Sequence, residues 1–181
     1  MGQAKTKLSI IICGLDNSGK TTIINYMKPE QQRSENIAAT VGYNVDKIKK
    51  GKVEFTAFDM GGAQKFRGLW ESYYSNIDGV VFVIDSTDSV RMCVVRDELQ
   101  QMLQHADLKG SKTPFVFFAN KMDLPGAKTP MELTQLVELS RILGDHPMNI
   151  FASNALKGEG IDEGIQWLES VMLRRIERSK K

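Results

Sequence analysis

Six short runs of β-forming residues recur along the chain: "LSIIIC" (8–13), "NVDKIK" (44–49), "VEFTAF" (53–58), "GVVFVI" (79–84), "PFVFFA" (114–119) and "NIFA" (149–152). Four of them are continuously apolar, the pattern of strands covered on both faces. The second and third runs are separated by "KGK" and read as a hairpin with Gly51 at the turn. Between the other runs the apolar period lengthens to that of helices. Residues 21–27 form a short helix that ends before Pro29, and Met92, Val95, Leu99, Met102 and Leu103 follow one face of a helix starting near Asp88. Thr129, Pro130 and Glu132 stand where a capping box with proline in the first turn places them. They open a third helix with Leu133, Leu136, Val137 and Ser140 on one side. Ile161, Ile165, Leu168, Met172 and Ile176 mark the last helix. Alternating strands and helices with one hairpin predict an α/β fold: a six-stranded, mostly parallel sheet with one antiparallel hairpin strand and helices on both faces.

Composition narrows this picture without changing it. A chain of 181 residues, 41% hydrophobic and 25% charged, suits one domain with a substantial core. The formal charge of +2 lacks the basic footprint of a nucleic-acid binder, so no nucleic-acid partner is expected. The two cysteines, Cys13 in an apolar run and Cys93 in a helical pattern, read as free thiols in a reducing compartment. The longest apolar runs are far too short to span a bilayer, so membrane contact would need an anchor or a surface.

The chemistry is concentrated in "GLDNSGKTT" (14–22), where Gly14, Gly19, Lys20 and Thr21 satisfy G-x-x-x-x-G-K-[ST] between an apolar strand and a helix. In that setting the backbone N–H groups of Gly14, Leu15, Asp16, Asn17, Ser18 and Gly19 wrap phosphates, and the helix start adds its positive end. Lys20 supplies a point charge, the Thr21 hydroxyl can ligate Mg²⁺, and Thr22 completes the loop. "FFANKMDLP" places Asn120, Lys121 and Asp123 directly after a strand, on the edge of an open α/β sheet where ligands bind. The Asp123 carboxylate is a double acceptor matched to the adjacent ring N–H and amine of guanine; adenine offers no such pair. "FASN" would bring the backbone of Ala152 and Ser153 to the guanine carbonyl oxygen, although Ser153 reads equally well as a helix or turn cap.

"GLDNSGKTT", "TVGYNV", "FDMGG", "LWESYY" and "NKMD" follow the order and approximate spacing of the small GTPases of the Arf-like branch, which the chain resembles from Leu8 to its last helix. The fuller strings "LDNSGKTTIIN", "FFANKMDL" and "ASNALKGEGIDEGIQWL" look most like the ciliary members that recruit the BBSome coat to membranes. The resemblance implies a P-loop NTPase small G domain over residues 8–176, behind a lead at 1–7 and before a basic tail at 177–181. It implies GTP hydrolysis to GDP and phosphate, bound Mg²⁺, an exchange factor and a GAP, a BBSome-type coat complex as effector, and a monomer. Thr40 would ligate Mg²⁺ and sense the γ-phosphate, Asp59 would orient the Mg²⁺ shell through water, and the Gly62 N–H would bond the γ-phosphate. Lys20, Thr40 and Gly62 are thus the residues expected to act on the reacting phosphates. Tyr43, Phe58 and Tyr73 match an aromatic effector surface beside the switches, with Trp70 and Tyr74 packing inward. "MGQAKT" fits the myristoylation pattern on Gly2. A single acyl chain binds membranes only marginally, and Lys5, Lys7 or the C-terminal basic residues could add electrostatic help. The localisation implied is cytoplasmic with reversible membrane association, at the ciliary base or ciliary membrane.

Two departures from the family pattern matter. A glutamine that orients the attacking water follows the glycine in relatives; here the position is Ala63, and Gln64 lies one residue later. Alanine has no group with which to align water, so an intrinsic rate on the order of 10⁻⁴ per second is expected to fall by roughly a hundredfold or more. Two readings stay open: a slowly hydrolysing switch that leans on a partner's catalytic residues, or a module that holds GTP with negligible turnover. A P-loop nucleotide kinase would need an Arg-bearing lid, which the sequence does not offer. The second departure is the lead of residues 1–7, shorter than the family's usual amphipathic segment, so release of such a helix does not carry over directly.

Overall fold

The computed structural model describes residues 5–179. Its sheet contains β1 (Thr6–Cys13), β2 (Tyr43–Lys50), β3 (Val53–Met60), β4 (Gly79–Asp85), β5 (Phe115–Asn120) and β6 (Met148–Ala152) in the order β2-β3-β1-β4-β5-β6. The β2–β3 pair is antiparallel and every other pairing is parallel, the arrangement expected from the apolar runs and the "KGK" hairpin. Two element ends differ from the sequence boundaries. The sheet begins at Thr6, inside the expected lead, and the last helix continues through residues assigned to a tail.

The helices are α1 (Lys20–Met27), α2 (Gln64–Arg67), α3 (Met92–Gln104), α4 (Pro130–Val137), α5 (Leu139–Leu143) and α6 (Ile161–Ser179). Strands β4 and β5 are apolar from Val80 to Ile84 and from Phe115 to Ala119 because both of their faces are covered, whereas β3 alternates and β2, at the sheet edge, is mostly exposed. Ile11, Phe82 and Phe117 point into a core shared with α3, α4 and α5, whereas Ile10, Ile12, Val83 and Phe118 point into a second core under α1 and α6. Complete burial of each such side chain stabilises the fold by about 1.5–3 kcal/mol, so a polar residue in either register would be costly.

The segment after Thr129 departs from the expected single helix. Its start is as predicted: the Thr129 hydroxyl accepts from the Glu132 N–H at 3.2 Å and the Glu132 carboxylate accepts from the Thr129 N–H at 2.7 Å. Glu138 then adopts the left-handed conformation, φ 59° and ψ 40°, which ends α4 and resets the phase. Leu133 and Val137 are buried, but Leu136 and Ser140 face solvent, and Leu139 and Leu143 turn inward instead. A 3₁₀ turn at Ser89–Arg91 leads into α3, which begins four residues after Asp88. Neither α2 nor the 3₁₀ segment Trp70–Asn76 has a periodic signature. They are held by the buried Trp70, whose ring stands edge-on to Phe82 and whose Nε1–H donates to the Gly61 carbonyl at 3.2 Å.

Candidate functional site

The C-terminal ends of β1, β3, β5 and β6 meet at one edge of the sheet, so loops distant in sequence become neighbours there. The loop after β1 closes against the end of β5. Gly19 has φ 103°, and a Cβ on it would lie 2.2 Å from Asn120 Nδ2, so the close approach requires glycine. Asn120 is buried and bonded at both ends of its amide: Nδ2 donates to the Ser18 carbonyl at 2.9 Å, and Oδ1 accepts from the Ser153 hydroxyl at 3.2 Å and the Ala155 N–H at 3.0 Å. It fastens the phosphate-type loop to the loop after β6.

Lys20 opens α1 and is buried, with its ammonium donating to the Leu15 carbonyl at 2.7 Å. Burial pushes its pKa down to about 8, while the Asp59 charge partly restores it. Beside it three oxygens converge. The Thr21 hydroxyl donates to Asp59 Oδ2 at 2.7 Å, lies 2.8 Å from the Thr40 hydroxyl, and Thr40 in turn donates to Asp59 at 3.2 Å. Burial raises the Asp59 pKa despite these bonds and the nearby Lys20, and Asp59 Oδ1 is buried without a partner. Two hydroxyls and a carboxylate are hard oxygen donors of the kind Mg²⁺ takes. Among the described residues no cluster of three His, Cys, Asp or Glu side chains offers an alternative metal site.

Thr40 lies outside regular structure, but the segment carrying it is tied down: the Gly61 N–H donates to the Gly42 carbonyl at 2.8 Å. Gly62 lies against the loop so closely that a Cβ would be 2.4 Å from the Asp16 nitrogen and 2.5 Å from Lys20 Nζ. A cleft of about 300 Å³ results, lined by Asp16, Asn17, Thr22 and Ala39 as well as by Lys20, Thr21, Thr40, Gly62 and Ala63. Gln64 does not line it. As the first residue of α2 it faces the neighbouring groove with Glu98 and His105. The methyl group of Ala63 is therefore what position 63 presents to the cleft.

At the far end, Lys121 adopts φ 64° and its ammonium meets Asp85 Oδ2 at 2.6 Å, while Asp123 is exposed beside it. Ala152 is exposed. The Ser153 N–H donates to the Ala119 carbonyl at 2.8 Å, so that donor is spent within the sheet and Ser153 serves as a strut, with its hydroxyl on Asn120. The N–H that reaches the Asn120 side chain from this loop belongs to Ala155. Sequence gave no sign of Ala155, which has no chemistry of its own; Asp85 could have been suspected as an acid ending an apolar strand on the same edge.

On the outer side of the hairpin, the Tyr73 ring packs at a tilt against Tyr43 and Phe58, 5.1 Å and 4.8 Å away between ring centroids. Tyr43 is 45% exposed, whereas Phe58 and Tyr73 lean on the core. Desolvation, helped by the Tyr43 hydroxyl, pushes the Tyr73 pKa up to about 12. Trp70 and Tyr74 are buried, as expected. Gly2 lies outside the described residues, and no described helix is long and apolar enough to cross a membrane.

Comparison with known proteins supplies the family and the fold. The model of the ADP-ribosylation factor family matches residues 1–172. ADP-ribosylation factor-like protein 6 from Danio rerio is 45% identical over 169 residues, 93% of this chain and 90% of that protein. The Caenorhabditis elegans protein of the same name is 40% identical over 176 residues, 97% of this chain and 92% of its own length. Among solved structures, the Arl6 BBS3 small GTPase from Trypanosoma brucei, determined with the nucleotide analogue GppNp bound, superposes with a TM-score of 0.87 at 58% identity, covering 93% of this chain and 99% of that one.

Proposed function

The chain belongs to the ADP-ribosylation factor family, and from that premise we propose that it is a GTP-binding switch whose own hydrolytic step is very slow. The observation that carries the proposal is the cleft itself. Lys20, Thr21, Thr40, Asp59 and Gly62 converge there from loops distant in sequence, and Ala63 presents only a methyl group to the same cleft.

In this reading the loop from Gly14 to Thr22 wraps the phosphates, and Lys20 is recharged and held by them. The Thr21 and Thr40 hydroxyls and the Asp59 carboxylate would hold Mg²⁺, which would supply neutralisation of phosphate charge. The Gly62 N–H meets the third phosphate, so that Thr40 and Gly62 are gripped only while that phosphate is present. Lys121 and Asp123 face the guanine, with Asn120 fixing the loops around it and the Ala152–Ser153 segment beside it. The bound analogue in the Trypanosoma brucei relative supports nucleotide binding here.

With no water-ordering group at position 63, the chain keeps GTP until a GAP supplies the missing chemistry, and an exchange factor reloads it. The sequence resemblance to ciliary Arf-like GTPases supports a coat complex of BBSome type as the effector, docking on Tyr43, Phe58 and Tyr73. Attachment to a ciliary membrane through a lipid on Gly2 rests on the "MGQAKT" sequence.

Single-turnover hydrolysis of preloaded Mg²⁺·GTP by the natural chain and by Ala63→Gln tests the central point. The glutamine variant is expected to be about a hundredfold faster. Equal rates would mean that another group positions the water and would overturn the reading of Ala63.

A further inference from the structure

Beside Gly62, in the neighbouring groove, lie two charged side chains with no part in the roles above, Arg67 and Glu98. Arg67, the last residue of α2, has a side chain only 11% exposed. Its Nε–H donates to the Gly62 carbonyl at 2.9 Å, and one Nη donates to Glu98 of α3 at 2.8 Å. The other Nη is 3.9 Å from the Asp16 carboxylate, which Arg91 holds at 2.7 Å. A guanidinium is planar and its donors form a rigid fork, so fixing one prong on Glu98 fixes the direction of the Nε–H as well. Glu98 is itself 17% exposed and sits on a long, well-packed helix.

The carbonyl that Arg67 grips belongs to the peptide joining Gly62 to Ala63. Glycine loses more backbone freedom on ordering than any other residue, and a ligand that had to order it would lose affinity accordingly. We propose that Arg67, oriented by Glu98, is a positioning residue that holds the Gly62 backbone against the phosphate loop and so sets the preference of the site for a nucleoside triphosphate over the diphosphate. Arg67 does not line the cleft and acts only through Gly62. The inference rests on the reading that the Gly62 N–H meets the third phosphate, which a diphosphate lacks.

The test is the dissociation rate of fluorescent GppNp and of fluorescent GDP from the Mg²⁺-loaded full chain, for the natural protein, Arg67→Ala, Arg67→Lys and Glu98→Gln. Losing one charge-assisted hydrogen bond predicts that GppNp leaves Arg67→Ala roughly tenfold faster, while GDP leaves at the natural rate. Glu98→Gln should shift the ratio in the same direction by less. Should Arg67→Ala fail to fold, Arg67→Lys gives the same reading, because an ammonium beside Glu98 keeps the charge but not the fork. Equal acceleration of both nucleotides would reduce Arg67 to a general structural role and overturn the inference, as would unchanged rates for both. A natural chain that retained neither nucleotide would overturn the nucleotide-binding reading itself, and the inference with it; retention by the natural chain with an unchanged ratio in the variants would overturn the inference alone.

Discussion

Asp85, the last residue of β4, uses both carboxylate oxygens: Oδ2 accepts from Lys121 Nζ at 2.6 Å, and Oδ1 accepts from the Thr87 N–H at 2.9 Å and its hydroxyl at 2.6 Å. Burial alone would raise its pKa, but the bonds from Lys121 and Thr87 outweigh it and hold the carboxyl below its ordinary value. A folded pKa below the unfolded one means stabilisation that is complete above about pH 4 and lost as pH falls through the folded value. Asp85→Asn is therefore expected to cost about 1–2 kcal/mol at pH 7, with the gap to the natural chain closing in acid. Urea unfolding at pH 7 and near pH 3 measures it, and a gap independent of pH would show that the lost charge is not the cause. At this scale legibility divided by range. Gly19, Lys20 and Thr21 announce themselves because their spacing is the chemistry, and Ala63 stands out as a missing side chain. Arg67, Asp85 and Ala155 went unnoticed because their partners lie 31, 36 and 35 residues away in sequence and only the fold brings them together.

Elements were legible where one physical cause fixed them. Strands buried on both faces can be nothing but apolar, and the face of α3 bearing Val95, Leu99 and Met102 repeats at the helical period. The start of α4 was legible through its capping box, and the test there is direct. Thr129→Ala removes the acceptor for the Glu132 N–H and should cost about 1 kcal/mol, lowering the thermal midpoint by about 2–4 °C for a chain of this size. Nucleotide affinity should not change; a tenfold loss of affinity would mean that α4 is coupled to the base end of the cleft. The end of α4 was not legible, because nothing in "LVELSRIL" marks Glu138 as left-handed. Tertiary packing decides it: Arg96 of α3 donates to the Leu136 carbonyl at 2.5 Å and pairs with Glu138 at 3.3 Å, satisfying groups that the broken helix frees. Residues 64–76 were illegible for the opposite reason, since they follow one anchored tryptophan rather than a period.

Taken as a whole, the molecule assembles its cleft from loops that span most of the chain, and it folds with several groups there poorly served. Ser18 Oγ and Asp59 Oδ1 are buried without partners, and Lys20 is buried with its pKa pushed down to about 8. Each of these states costs free energy that a phosphate chain and a hard cation would recover. A bound nucleotide and cation would give partners to groups that come from several loops, so the ligand should act as a large stabiliser of the entire molecule rather than of one loop. At a thousandfold excess over its dissociation constant, Mg²⁺·GTP is expected to add about 4 kcal/mol to the stability of the nucleotide-free chain, which corresponds to a rise of roughly 10 °C in the unfolding midpoint. Chelating the metal should remove a large part of that rise, because the oxygens of Thr21, Thr40 and Asp59 then face the phosphates with nothing between them. ATP at the same concentration should give little, since Asp123 has no matching donor pair on adenine. A thermal scan of the stripped protein with each nucleotide decides the matter: equal shifts for ATP and GTP would sink the assignment of the base end, and no shift with either would sink that of the phosphate end.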